Sequence, residues 1–206
     1  MLSILKLNKP NITNFAEERN ELLKKAKTDW VLFLDNDETI DSINLSLRGA
    51  GSDVAIKNNR LLHFVRNDSD YDCYYLKRKN YFLGQYVGTD RMIRLVKKGT
   101  GKFVRKVHEV WKPNSLEAVG YSDEVITHNT ADNLSDYLKK MNKYSDLHAK
   151  ANLEEGKKSN LLKIIFLPIA KFFVTYLKSK NVVFSIMQSL HSYLAWTKMY
   201  LYPVKN

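Results

Sequence analysis

The stretch WVLFLDNDET, residues 30–39, decides how the rest of the chain folds. Its apolar residues, Trp30 to Leu34, do not alternate with polar ones. That is the pattern of a strand covered on both faces in a largely parallel sheet. The strand runs straight into Asp35, Asn36, Asp37 and Glu38. Residues two apart in an extended chain project to the same side, so Asp35 and Asp37 converge if the strand continues past its last paired residue. Ligands of open α/β sheets bind beyond the carboxyl ends of the strands. Two carboxylates there suit Mg2+ or Mn2+, hard ions held by one or two carboxylates together with substrate phosphates. Asn and Asp are also good turn formers, so the motif alone reads equally well as a polar turn. A calcium loop is excluded, because Ile40 stands in place of its glycine and Ser46 in place of its closing glutamate.

Composition sets the frame. A chain of 206 residues can bury a real core, and one domain with an appendage is expected. A hydrophobic content of 44% excludes general disorder. The single cysteine, Cys73, has no internal disulfide partner, which points to a reducing compartment. The opening MLSILKLNKP has neither a long apolar run nor a cleavage site, so no secretory leader is expected. The formal net charge of +11 points to an anionic partner: nucleic acid, a membrane surface or a phosphorylated substrate. No nucleic-acid module accompanies it, and the lysines are scattered rather than interleaved with aromatics, so nucleic acid is not expected.

Along the chain, Ser3 to Leu7 is a weak short strand, and Asn14 with Glu17 forms a capping box. The helix behind it carries Phe15, Arg19, Leu22, Leu23 and Ala26, and the Trp30–Asp35 strand follows. Residues 41–50 suggest a short helix. DCYYLKRKNYF, RMIRLVKK and KFVRKVHEV read as further strands, the last two joined through Gly99, Thr100 and Gly101. After His128, Leu134, Tyr137, Leu138, Met141, Tyr144 and Leu147 fall at helical spacing, with Gly156 as a stop. Two apolar segments finish the chain, and the domain boundary is expected near residue 157.

Two enzyme families write acidic strand ends of this kind. Asp35, Asp37 and Thr39 resemble the Asp-x-Asp-x-Thr of haloacid dehalogenase-like phosphatases, with Asp35 as nucleophile and Asp37 as acid/base. That family needs a second acidic strand end, and Ser122-Asp123-Glu124 has no apolar run before it. The longer segment NFAEERNELLKKAKTDWVLFLDNDE resembles the family 2 glycosyltransferases, in which a helix bearing Arg-Asn leads to a strand ending in Asp-x-Asp. The likeness continues through YFLGQYVGTDRMIRLVKKGTGKFVRKVHE, VITHN and LKKMNKYSDLHAKANLEEGK, and is similar to a bacterial subgroup related to lipopolysaccharide-core β-glucosyltransferases. It covers nearly everything from Asn14 onward and is preferred over the phosphatase reading. The third possibility is a degenerate transferase domain that binds without turning over.

The resemblance implies an α/β, Rossmann-like GT-A domain with a mostly parallel sheet over residues 1–131, an amphipathic helix over 132–156 that closes it, and an apolar, basic helical tail over 157–206. It implies sugar transfer from a nucleotide-diphosphate donor to a cell-envelope glycan or lipid-linked acceptor, metal-dependent and inverting. Asp37 is the leading metal ligand, and Asp35 faces the metal or the nucleotide ribose. Glu109 is the candidate general base, and His128 a further ligand of metal or diphosphate. Arg19, Asn20, Gly84 and Arg94 are placed on the donor side, with His108 and Trp111 on the acceptor side. Glu38 either supports the site or, as the preferred reading, is a solvated carboxylate.

Family members begin with a strand, a helix and a second strand that supplies an early aspartate. Here the Arg-Asn helix starts at Asn14 and leaves room for one strand, so the chain is expected to lack part of the nucleotide pocket. A half-built sheet of this kind would expose an apolar edge, and the chain alone is expected to bind nucleotide weakly. In the tail, Lys163, Pro168 and Lys171 interrupt the first apolar segment and Lys198 the second. Neither suits a span of about 20 apolar residues. An interfacial helical hairpin on the inner, cytoplasmic face of a membrane is expected, with a soluble helical pair or a homodimer contact as alternatives.

Overall fold

The computed structural model describes residues 2–7, 12–40, 54–56 and 70–202. The helix expected over 41–50 lies outside them. The elements are β1 (Leu2–Lys6), α1 (Phe15–Lys25), β2 (Trp30–Leu34), β3 (Glu38–Ile40), β4 (Val54–Ile56), β5 (Cys73–Phe82), β6 (Gln85–Lys97), β7 (Gly101–Val104), β8 (Val110–Pro113) and β9 (Val119–Asn129). Three helices follow: α2 (Leu134–Glu154), α3 (Leu161–Ser179) and α4 (Val182–Leu201).

Seven strands form one sheet in the order β3-β9-β5-β6-β2-β1-β4, and β7 pairs with β8 as a separate hairpin. The sheet is mixed, which corrects the expectation of a mostly parallel one. β1 and β2 run parallel, whereas β1–β4, β2–β6 and β3–β9 are antiparallel. The apolar run of β2 reported burial on both faces, and that holds whichever way the neighbours point. Trp30, Leu32 and Leu34 enter one core cluster, while Val31 and Phe33 enter another with Leu5, Ala16, Leu23, Val96 and Phe103. α1 lies on this second face. β1 is buried and flanked by β2 on one side and β4 on the other, so the apolar edge expected there is covered.

Local chemistry sets the element ends. Asn14 caps α1 by accepting from the Glu17 amide at 3.2 Å and donates to the Glu17 carboxylate at 3.1 Å, a reciprocal capping box. Asn133, Asn160 and Asn181 cap α2, α3 and α4 by accepting from the amides of Asp136, Lys163 and Phe184. The segment KFVRKVHEV is a strand only to Val104. Arg105 and His108 adopt φ of +75° and +55°, and the chain turns there before β8. Left-handed conformations at non-glycine residues break the extended chain.

The chain divides into two compact units: residues 1–79 with 89–128, and residues 80–88 with 129–206. The division falls after His128 rather than near residue 157, and α2 belongs with α3 and α4. In the second unit Phe82, Val87, Tyr137 and Met141 form a core against Phe184, Met187, Leu190 and Leu194. Lys198 of α4 donates to the Asn142 carbonyl of α2 at 2.9 Å and pairs with Asp146 at 3.0 Å.

Candidate active site

Arg19 sits in the apolar row of α1 and is 1% exposed. Its guanidinium lies 5.6 Å from the Phe33 ring centroid and 5.5 Å from that of Phe103, an aromatic slot suited to a planar cation. Nε donates to Glu109 Oε1 at 2.7 Å, and Nη2 donates to Asp35 Oδ1. One helix residue thus joins the end of β2 to the loop before β8, 90 residues away in sequence. Nη1 is buried and has no hydrogen-bond partner.

A second arginine continues the network. Arg94 of β6 donates through Nη2 to Asp35 Oδ2 at 2.6 Å and to Glu38 Oε1 at 2.9 Å. Arg78 of β5 grips Asp90 with a fork of 3.0 and 2.7 Å and donates to Glu38 Oε1 at 3.2 Å. The Asp35 amide donates to Glu38 Oε2 at 2.9 Å. Glu38 is therefore fully buried, 0% exposed, and not the solvated carboxylate expected. Burial raises the Asp35 carboxyl, but Arg94 and Arg19 beside it outweigh that and hold its pKa below the ordinary value. Burial likewise lowers Arg94, yet Asp35 and Glu38 more than compensate and keep it firmly charged. The guanidiniums of Arg19, Arg78 and Arg94 face the carboxylates of Asp35, Glu38, Asp90 and Glu109, three positive charges against four negative.

Asp35 and Asp37 part company at a turn. The Glu38 amide donates to the Asp35 carbonyl at 3.0 Å, closing a four-residue turn between β2 and β3. The period of two holds only in extended chain, so Asp37 is not carried to the side of Asp35. Its Oδ2 instead stands 3.6 Å from Nε2 of His128 on β9, where β3 and β9 pair Glu38 with His128.

No group of three or more His, Cys, Asp or Glu side chains suited to a metal gathers among the described residues. Asp37 and His128 supply one carboxylate and one imidazole, which fits a divalent ion completed by substrate phosphate oxygens. Asp35 is not a second ligand in this arrangement, since arginines engage both of its oxygens.

Other residues singled out from the sequence have structural partners. Asn20 exchanges two 2.9 Å hydrogen bonds with the backbone of Phe103, tying α1 to β7. Leu83 and Gly84 have φ of +48° and +77°, the two left-handed positions of a tight turn between β5 and β6. Gly84 belongs to the second unit. Trp111 is buried, its ring packed edge-on against Phe103 at 5.2 Å. His108 is exposed in the loop beside Glu109. The Phe15 amide donates to the Lys106 carbonyl at 2.9 Å and fastens that loop to the start of α1.

The structure thus brings Arg19, Asp35, Arg94 and Glu109 together and sets Asp37 with His128. It adds Glu38, Arg78 and Asp90, whose one sequence signal is three arginines, 78, 91 and 94, on adjacent amphipathic strands. Neither a model of a known protein family nor a curated protein matches this chain.

Proposed function

We propose that the chain is a glycosyltransferase that moves a sugar from a nucleotide-diphosphate donor to a cell-envelope glycan or lipid-linked acceptor, with inversion. The observation that carries the reading is the Arg19 bridge between Asp35 and Glu109. Three residues that the family resemblance singles out from separate parts of the sequence meet in one partly buried network.

In this reading Glu109 is the general base. Arg19 holds Oε1, and Oε2 takes the proton as the acceptor oxygen attacks the anomeric carbon and the bond to the diphosphate breaks. Arg19 and Arg94 fix the end of β2. Asp37 and His128 would hold Mg2+ or Mn2+, which supplies Lewis-acid neutralisation of the departing diphosphate. The phosphatase alternative needs Asp35 as a nucleophile. A carboxylate held through both oxygens by two arginines is poorly disposed to attack.

Incubation with a panel of UDP-sugars, Mn2+ and envelope-derived acceptors tests the proposal through UDP release. Phosphate release from simple phosphate esters, without UDP release, would favour the phosphatase. Asp37→Ala is expected to abolish Mn2+-dependent UDP binding in calorimetry while leaving the fold intact, and unchanged affinity would remove Asp37 from the metal.

A further inference from the structure

Helix α3 buries little of its own apolar surface. On α3, Leu162, Ile165, Phe166, Ile169, Phe173 and Leu177 are 65%, 55%, 60%, 49%, 58% and 66% exposed. Their spacing of three and four residues makes one continuous stripe along the helix. Ile164, Pro168 and Thr175 form the opposite, buried row. A run of exposed apolar side chains about four turns long needs a partner.

Three occupants are conceivable, and the charges separate them. Residues 157–206 contain eight Lys and no Asp or Glu. By helical spacing Lys163 borders the α3 stripe, whereas Lys171 and Lys178 lie farther round the helix, between exposed Leu167 and Val174 and the buried row. A two-fold dimer through this face would bring together two tails of eight Lys each, without a carboxylate from either tail to pair them. A membrane crossing is equally unsuitable, since no helix among the described residues is long and apolar enough. An anionic lipid surface meets both requirements, accepting the apolar stripe at the acyl boundary and the lysines among its headgroups. Lys163 lies 5.3 Å from the Trp196 ring centroid, which adds an interfacial aromatic to the basic flank.

From this we infer that α3 is an interfacial helix, lying in the plane of an anionic bilayer with the Leu162–Leu177 stripe immersed. The inference is independent of the transferase reading, because vesicle binding and sugar transfer are measured separately.

Co-sedimentation of the full chain with phosphatidylcholine vesicles, with and without phosphatidylglycerol, is the test. The chain should partition onto the phosphatidylglycerol vesicles and come off as salt is raised. Phe166→Asp with Phe173→Asp, both at exposed positions, should weaken partitioning by about tenfold or more. Lys171→Gln with Lys178→Gln should lose about fivefold per lysine on anionic vesicles and little on neutral ones. Equal binding by the Phe166→Asp, Phe173→Asp chain and the unaltered one would overturn the inference. So would a chain that ignores both vesicles, or one that sediments as a dimer which the same pair of substitutions dissociates without any vesicle binding.

Discussion

Glu38 has no solvent around it, and its two oxygens are satisfied by Arg94, Arg78 and the Asp35 amide. Removing one side of a buried ion-pair network leaves the other charges uncompensated. Glu38→Gln should therefore destabilise the protein by about 3 kcal/mol in urea unfolding. A surface carboxylate would change stability by about 0.5 kcal/mol or less, and a shift that small would mean the network is not formed. Nothing around residues 35–39 announces this burial, because the two arginines lie 40 and 56 residues further on. Arg19 was more legible. Its place among Phe15, Leu22, Leu23 and Ala26 put a charge on the apolar side of a helix, where only a buried partner makes it tolerable.

The β7–β8 hairpin presents Glu109, and its geometry depends on one small residue. A Cβ on Gly101 would stand 2.6 Å from the Lys112 carbonyl and 2.7 Å from the Trp111 ring. The backbone carbonyl has no room to yield, so Gly101→Ala should cost about 1–3 kcal/mol as overpacking. It should also lower turnover by displacing Glu109 from Arg19. Thermal unfolding with a UDP-release assay checks both, and an unaffected melting temperature would mean the hairpin packs more loosely than it does here. The helices and the strands β1, β2, β5 and β6 were legible, since capping asparagines and apolar periodicity act locally, whereas the short strands β3, β4 and β8 carry no such pattern and were not expected. Strand direction was not, because a doubly covered strand has the same composition in a mixed sheet. The turn at 36–37 was open on the sequence alone, where Asn and Asp serve a turn and a metal site equally well.

For the molecule as a whole, the Asp35 network makes stability depend on pH. The folded pKa of Asp35 is depressed below the ordinary value of about 3.9. Its contribution is therefore complete above about pH 4 and is lost as pH falls through the folded value. Asp35→Asn should be less stable than the unaltered protein at pH 7, and the gap should narrow as pH falls below about 4. Urea midpoints across that range decide it, and a constant gap would exclude linkage through Asp35.

The turnover of Glu109→Gln tests the central claim most directly. The substitution keeps the shape and the contact to Arg19 but cannot accept a proton at neutral pH. UDP release from the active donor should fall by about 10²–10⁴ with UDP affinity unchanged. Turnover close to that of the unaltered protein would contradict the account and place the base elsewhere.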